Sequence, residues 1–195
     1  MTAITPLEFI HKRGLFGDHH KQNEKDLLRI SEVKDLTIVQ VVQYKRSKAE
    51  LNGVKIDGLE FSLQSSKVSS NKETRILWSA PRTCLILSNK ENIMDIIKKN
   101  CNKADFAVTD ISHSRAAIQI KGSQAREVLK KGSAINFNEF TTNMCVGTVF
   151  HGISIVIDLT SEDPDTFNLL TLRSFGESFY HHITDSALEF GYVGV

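Results

Sequence analysis

The chain has 195 residues, 41% of them hydrophobic and 24% charged, and its 24 basic and 23 acidic side chains leave a formal net charge of +1. That size and apolar content allow one large domain or two small ones, closely packed, and exclude a disordered chain. The charge balance argues against a surface built for nucleic acid or an anionic membrane, because phosphate binding needs a concentrated positive patch.

The first 25 residues are polar and aperiodic, and read as an extended arm that frays or lies on a partner. "LLRISEV" and "LTIVQVVQY" alternate and are rich in Ile and Val, as strands are. "KRSKAELNGVKIDG" reads as a short amphipathic helix with Leu51, Val54 and Ile56 near one side and Gly58 as its stop. "RILW" and "TCLILS" read as antiparallel strands turned at Ala80-Pro81. "NKENIMDIIKKNC" is a helix with Asn89 as N-cap and Ile93, Ile96 and Ile97 at helical spacing.

"FAVTDIS" and "RAAIQIKG" are strands meeting near His113. "SQAREVLKKG" is a helix capped by Ser123 and stopped at Gly132. "CVGTVF", "ISIVIDLT" and "TFNLLTLR" are strands, and "SFGESFYHHITDSALEFG" is the longest helix, with Ser174 and Glu177 as its capping box. The expected fold class is α+β: mainly antiparallel sheets with flanking helices in two similar halves. The expected division is an arm at 1–25, a first half at 26–103 and a second at 104–195.

Cys84, Cys101 and Cys145 are odd in number, far apart and outside any CxxC or CxxH spacing. A secreted disulfide framework and a locally spaced zinc site are therefore not expected. The opening "MTAITPLEFIHKRG" has no apolar h-region, and no apolar run nears the roughly 20 residues of a membrane span. A reducing, cytoplasmic setting is expected.

The stretch "TDISHSRAAIQIKG" packs Asp110, Ser112, His113, Ser114 and Arg115 together. A nucleophile, base and orienter must lie within hydrogen-bond reach. In an extended strand His113 points away from Ser112 and Ser114, so the triad is geometrically poor. Asp110, Ser112 and Ser114 are instead expected to satisfy backbone groups at a strand break. His19-His20 and His181-His182 lack the i, i+4 spacing of helical metal ligands. Glu162, Asp163 and Asp165 fall in a turn and read as solvated acids. Trp78 reads as a core residue. Arg173 is expected to pair with Glu177 or with another subunit.

Three stretches carry a family resemblance. "TDISHSRAAIQIKGSQAREVLKKGSAINFNEF", "LRSFGESFYHHITDSALEFG" and "RILWSAPRTCLILS" resemble, in order, segments of the gamma subunit of heterotetrameric sarcosine oxidase. The last departs from that pattern at Ala80, where the family has Gly, and at Cys84, where it has a second Trp. The resemblance implies the fold of the glycine-cleavage T-protein and folate-binding group. It also implies alpha, beta and delta partner subunits that hold FAD, FMN, NAD, tetrahydrofolate and zinc, with no cofactor or catalytic residue in this chain. It further implies a complex that oxidises sarcosine to glycine, passes the one-carbon unit to tetrahydrofolate and makes hydrogen peroxide. Asp110, Ser112, His113, Arg115, Arg173, Ser174 and Phe175 are the residues it marks for a structural or subunit-interface role. The alternatives are a stand-alone folate-binding or aminomethyltransferase-like protein, with Asp110 and Arg173 as ligand-binding candidates, and the equivalent subunit of a related N-methyl amino acid dehydrogenase.

Overall fold

A computed structural model describes residues 4–20, 22–49 and 51–195. Its elements run β1 (Gly14–Phe16), β2 (Leu28–Glu32), β3 (Thr37–Gln43), β4 (Lys55–Ile56), β5 (Leu59–Glu60), β6 (Val68–Ser70), β7 (Thr74–Ala80), β8 (Thr83–Ser88) and α1 (Ile93–Asn100). They continue with β9 (Phe106–Asp110), β10 (Arg115–Lys121), α2 (Ala125–Lys130), β11 (Cys145–Phe150), β12 (Ile153–Glu162), β13 (Asp165–Leu172), α3 (Gly176–Ala187) and β14 (Tyr192–Gly194). The α+β class with mainly antiparallel sheet is as expected. No helix of the described residues is long and apolar enough to cross a membrane.

The chain divides into two units, and neither is a continuous half. Unit 1 holds residues up to Lys34, Ser114–Thr142 and Gly147–Val195; unit 2 holds Asp35–His113 and Asn143–Val146. The expected boundary at 103/104 therefore needs correction. Strand β2 joins β10, and β9 joins β3, so each sheet draws on both sides of that boundary. The break lies between β2 and β3, where Asp35 takes a positive φ of 56° and ends the extended run.

Unit 1 contains a seven-stranded sheet in the order β1-β14-β2-β10-β13-β12-β11. Its β14–β2 pair is parallel, while β1–β14, β2–β10, β10–β13 and β12–β13 are antiparallel. Period-2 alternation puts Ala116, Ile118 and Ile120 on one face, in register with Thr171, Leu169 and Phe167. Ile155, Ile157 and Leu159 extend that face, and all of these are buried. Helices α2 and α3 pack on the sheet and bring buried Val128, Leu129, Phe179 and Ile183. Each such apolar burial contributes roughly 1.5–3 kcal/mol.

The N-terminal arm is not loose. β1 pairs with β14, Leu7 is fully buried, and its backbone N–H donates to Glu32 Oε1 at 3.0 Å. Two features hold it in place: the Leu7 side chain finds apolar cover, and an otherwise isolated edge strand finds a ladder.

Unit 2 contains a five-stranded antiparallel sheet, β6-β7-β8-β3-β9; β7 and β8 turn at Pro81-Arg82, one residue past the expected Ala80-Pro81, since Ala80 still pairs with Thr83. Val39, Val41, Ile76, Cys84 and Ile86 pack with Ile93, Ile97 and Cys101 from α1 and its end. Where a helix was expected at 45–58 the structure has a 3-10 turn at Leu51–Gly53 and a β4–β5 hairpin. Asp57 and Gly58 both have positive φ, 53° and 80°, the requirement of a type I′ hairpin turn, and the Asp-Gly pair meets it.

Three expected helix caps are also corrected. α1 begins after Asn92 without a side-chain cap, three residues past Asn89, whose backbone N–H donates to the Glu73 carbonyl at 3.1 Å. α2 begins after Gln124, since the turn closed by Ala125 N–H on Gly122 takes up Ser123. α3 is preceded by a 3-10 turn, Arg173–Phe175, which absorbs Ser174, so no Ser174–Glu177 capping box forms. α3 is the longest helix of the described residues, as expected.

Candidate functional site

In unit 2 the strand β9 ends at Asp110 and the chain enters a 3-10 turn, Ser112–Ser114, rather than continuing extended. The Ile38 backbone N–H donates to Ser112 Oγ at 2.9 Å. Ser112 Oγ in turn donates to Asp110 Oδ1 at 2.6 Å, and the Ser112 N–H donates to the same oxygen at 2.9 Å. These bonds hold the Asp110 carboxyl below the usual carboxylate range, the hydroxyl bond being the larger cause. Asp110 and Ser112 are thus consumed in stitching β9 to β3. The His113 side chain is exposed and makes no hydrogen bond among the described residues. The three do not assemble a nucleophile and base.

In unit 1, β10 begins at Arg115, which stands opposite Leu172, the last residue of β13. Arg115 is half-buried, and burial lowers the pKa of its guanidinium. Among the described residues it has no ion pair and no hydrogen bond from its side chain. Arg173 does not pair with Glu177; its Nη2 donates to the Ile4 carbonyl at 2.6 Å. Ser174 and Phe175 are exposed.

The acids at the β12–β13 turn are not idle. Asp165 accepts from Arg126, and Glu162 accepts from the Thr142 backbone and hydroxyl at 2.9 and 2.8 Å. The pairing spans 39 residues between Arg126 and Asp165, so no local spacing signals it. A second network joins Asp57 to Lys90, Asn71 and Thr74, and Thr74 to Ser88.

Each unit holds a cleft. One of about 430 Å³ in unit 1 is lined by Ile10, Phe16, Tyr180 and Tyr192 among others; burial pushes the Tyr192 hydroxyl up to about 12. One of about 340 Å³ in unit 2 lies beside β9, with Tyr44, Lys98 and Lys103 in its walls. Trp78 is half-buried and lines a third, smaller hollow by Pro81. The three cysteines are buried and free, and burial raises the Cys101 thiol to about 11. His19 bonds the Gly17 carbonyl, His182 lies against His151, and the described residues hold no cluster of three or more metal-ligating groups.

The family model described as "Sarcosine oxidase, gamma subunit family" (SoxG) matches residues 51–189. A chain of the heterotetrameric sarcosine oxidase from Corynebacterium sp. U-96, solved with pyrrole 2-carboxylate, shares the fold. Its TM-score is 0.82 at 20% identity, covering 97% of each chain. Aminomethyltransferase T of the glycine cleavage system from Bartonella henselae is similar at a TM-score of 0.62 and 14% identity, over 86% of this chain and 48% of that one. No curated protein matches the sequence.

Proposed function

Since the chain belongs to the sarcosine oxidase gamma subunit family, we propose that it works as the assembly subunit of a heterotetrameric complex that oxidatively demethylates sarcosine to glycine. In this reading alpha, beta and delta subunits carry FAD, FMN, NAD, tetrahydrofolate and zinc. The one-carbon unit passes to tetrahydrofolate, oxygen is reduced to hydrogen peroxide, and this chain supplies no catalytic residue. The complex works in the cytoplasm, where buried thiols such as Cys84 and Cys101 stay reduced.

The family match over residues 51–189 carries the reading. The engagement of Asp110 and Ser112 in backbone bonds supports it, because the residues most suggestive of chemistry already have structural partners. Co-expression with the alpha, beta and delta subunits, followed by native mass analysis, tests it. The expected result is a one-to-one-to-one-to-one complex. An isolated, stable monomer that joins none of them would overturn the reading.

The likeness to an aminomethyltransferase favours a second reading, a folate-binding protein acting alone. Calorimetric titration with tetrahydrofolate separates the two: heat from the isolated chain favours the second, and its absence at millimolar ligand removes it.

A further inference from the structure

We propose that the free edge of β9 in unit 2 is where another subunit docks, by laying an extended acidic segment beside β9 as one more strand of the sheet. The inference rests on the reading of the chain as a subunit, and gives that reading a place and a partner chemistry.

The two edges of the unit 2 sheet differ. Beyond β6 the chain itself supplies cover: the Val68 N–H donates to the Asn143 carbonyl at 2.9 Å, Ser70 Oγ donates to Asn143 Oδ1 at 2.8 Å, and Lys67 bridges Met144. β9 pairs with β3 alone. Bonds from the Tyr44 N–H to the Asp105 carbonyl and from the Ile111 N–H to the Ile38 carbonyl, both 2.8 Å, set the alternation of that pair. Asp105, Ala107, Thr109 and Ile111 turn their backbone groups to β3, so Phe106, Val108 and Asp110 turn theirs outward. The Phe106 N–H is taken by the Asn102 carbonyl at 2.9 Å. The Phe106 carbonyl, both Val108 groups and the Asp110 N–H have no partner among the described residues. Such a row of backbone donors and acceptors is the template onto which an extended chain adds.

The surroundings of that edge identify the occupant. The cleft of about 340 Å³ beside β9 has Cys101, Phe106 and Val108 among its apolar walls, and Tyr44, Lys98 and Lys103 among its polar ones. Val108 packs on the core under α1 but is only half-buried, so a strand beside it would complete its burial. Two basic stretches far apart in the sequence, 44–48 and 97–103, meet at this cleft, and the Arg46 guanidinium lies 5.5 Å from the Tyr44 ring centroid. Lys98, Lys103 and Arg46 are exposed and form no ion pair among the described residues. Asp110 attracts Lys98, yet its Oδ1 already accepts from the Ser112 hydroxyl and N–H. A free anion would meet the lysines and leave the β9 backbone unpaired. An extended peptide satisfies both, with an apolar side chain opposite Val108 and carboxylates toward Lys98 and Lys103.

The test uses the complex formed on co-expression. Residue-resolved hydrogen exchange should show the Val108 and Asp110 amides at least about 10-fold slower in the complex than in the isolated chain. Lys98→Glu with Lys103→Glu should weaken incorporation roughly 100-fold, and should melt within about 2 °C of the unaltered chain because both side chains are exposed. Val108→Pro removes an outward N–H and no bond to β3, and should weaken incorporation roughly 10-fold. Lys72→Glu, an exposed charge change elsewhere in unit 2, is the control and should cost nothing. Should Val108→Pro fail to fold, the exchange rates and the double glutamate variant decide. Unchanged exchange at Val108, or normal incorporation of the double glutamate variant, would overturn the docking edge and leave the subunit reading intact. Failure of the unaltered chain to assemble would overturn both. Protection of Val108 that rises with concentration in the isolated chain would show a second copy on this edge, and would also overturn the proposal.

Discussion

Arg126 Nε donates to both carboxylate oxygens of Asp165, at 3.0 and 2.9 Å, and so ties the first turn of α2 to the start of β13. The same guanidinium donates through Nη1 to the carbonyls of Phe137 and Phe140 and lies 5.8 Å from the Phe167 ring centroid. One side chain therefore holds a helix, a strand and the loop between 137 and 140. The Asp165 side chain is only 14% exposed, so its charge depends on this partner.

Arg126→Ala should lower unfolding free energy by roughly 3 kcal/mol, because a nearly buried carboxylate and two carbonyls lose their donor. Arg126→Lys should recover less than half, since an ammonium cannot reproduce the fork. Urea denaturation measures both, and a loss under about 0.5 kcal/mol for the alanine variant would contradict the account.

Asp57 gives the pH dependence a sign. Hydrogen bonds from Lys90, then Asn71 and Thr74, hold its carboxyl below the ordinary 3.8. A depressed acid stabilises fully above its unfolded value and loses that contribution as pH falls through the lower folded value. Asp57→Asn should therefore lower the urea midpoint at pH 7, and the gap from the unaltered chain should close below about pH 4. Asparagine tolerates the positive φ, so the turn itself survives. The Asp57 bond raises the Lys90 pKa in turn, so the gap should also close at high pH, as Lys90 loses its proton above 10.5. A gap constant from pH 2 to 7 would show that the pair is not the cause.

Ser112 and His113 are adjacent and should behave oppositely. Ser112→Ala leaves the N–H of Ile38, a buried residue, without its acceptor and should cost roughly 1–2 kcal/mol. His113→Ala should stay within about 0.5 kcal/mol. Thermal melts of the two variants decide, and equal losses would contradict the assignment.

Gly17 has a φ of 74°, and a Cβ there would overlap the Leu188 carbonyl at the end of α3. Gly17→Ala should cost roughly 2–3 kcal/mol and open the arm locally. Faster tryptic cleavage at Lys12 and Arg13 is the direct readout. Gly53→Ala, where a Cβ meets nothing within 4 Å, is the matched control.

What was legible in the sequence followed local rules. The alternation of Ala116, Ile118 and Ile120 signalled a half-buried strand, Pro81 signalled a turn, and the isoleucines of α1 signalled its buried side. Where two local rules competed, the reading failed. Leu51, Val54 and Ile56 fit a helical face, but Asp57-Gly58 is also a hairpin turn, and the buried Ile56 is better served by the hairpin. The caps at Asn89, Ser123 and Ser174 failed because preceding turns and strands had already claimed them. Partners far apart in the chain leave no local trace, so nothing in the sequence marks Arg126, and Asp165 reads as solvated. Arg115, Arg173 and Phe175 were nominated through family resemblance, whereas Leu172 read only as a strand end.

The interleaved order of the two units has a consequence for synthesis. The backbone of β2 pairs with β10 on one side and β14 on the other, so residues 28–32 wait for 115–121 and then for 192–194 before both edges are satisfied. All five strands of the unit 2 sheet lie between residues 37 and 110, within the span that separates β2 from β10. As the chain leaves the ribosome, that inner sheet is complete while the outer one still lacks most of its strands. Until β14 emerges, the apolar strand β2, including Leu28 and Ile30, has an open edge. A holding partner would have its longest opportunity there.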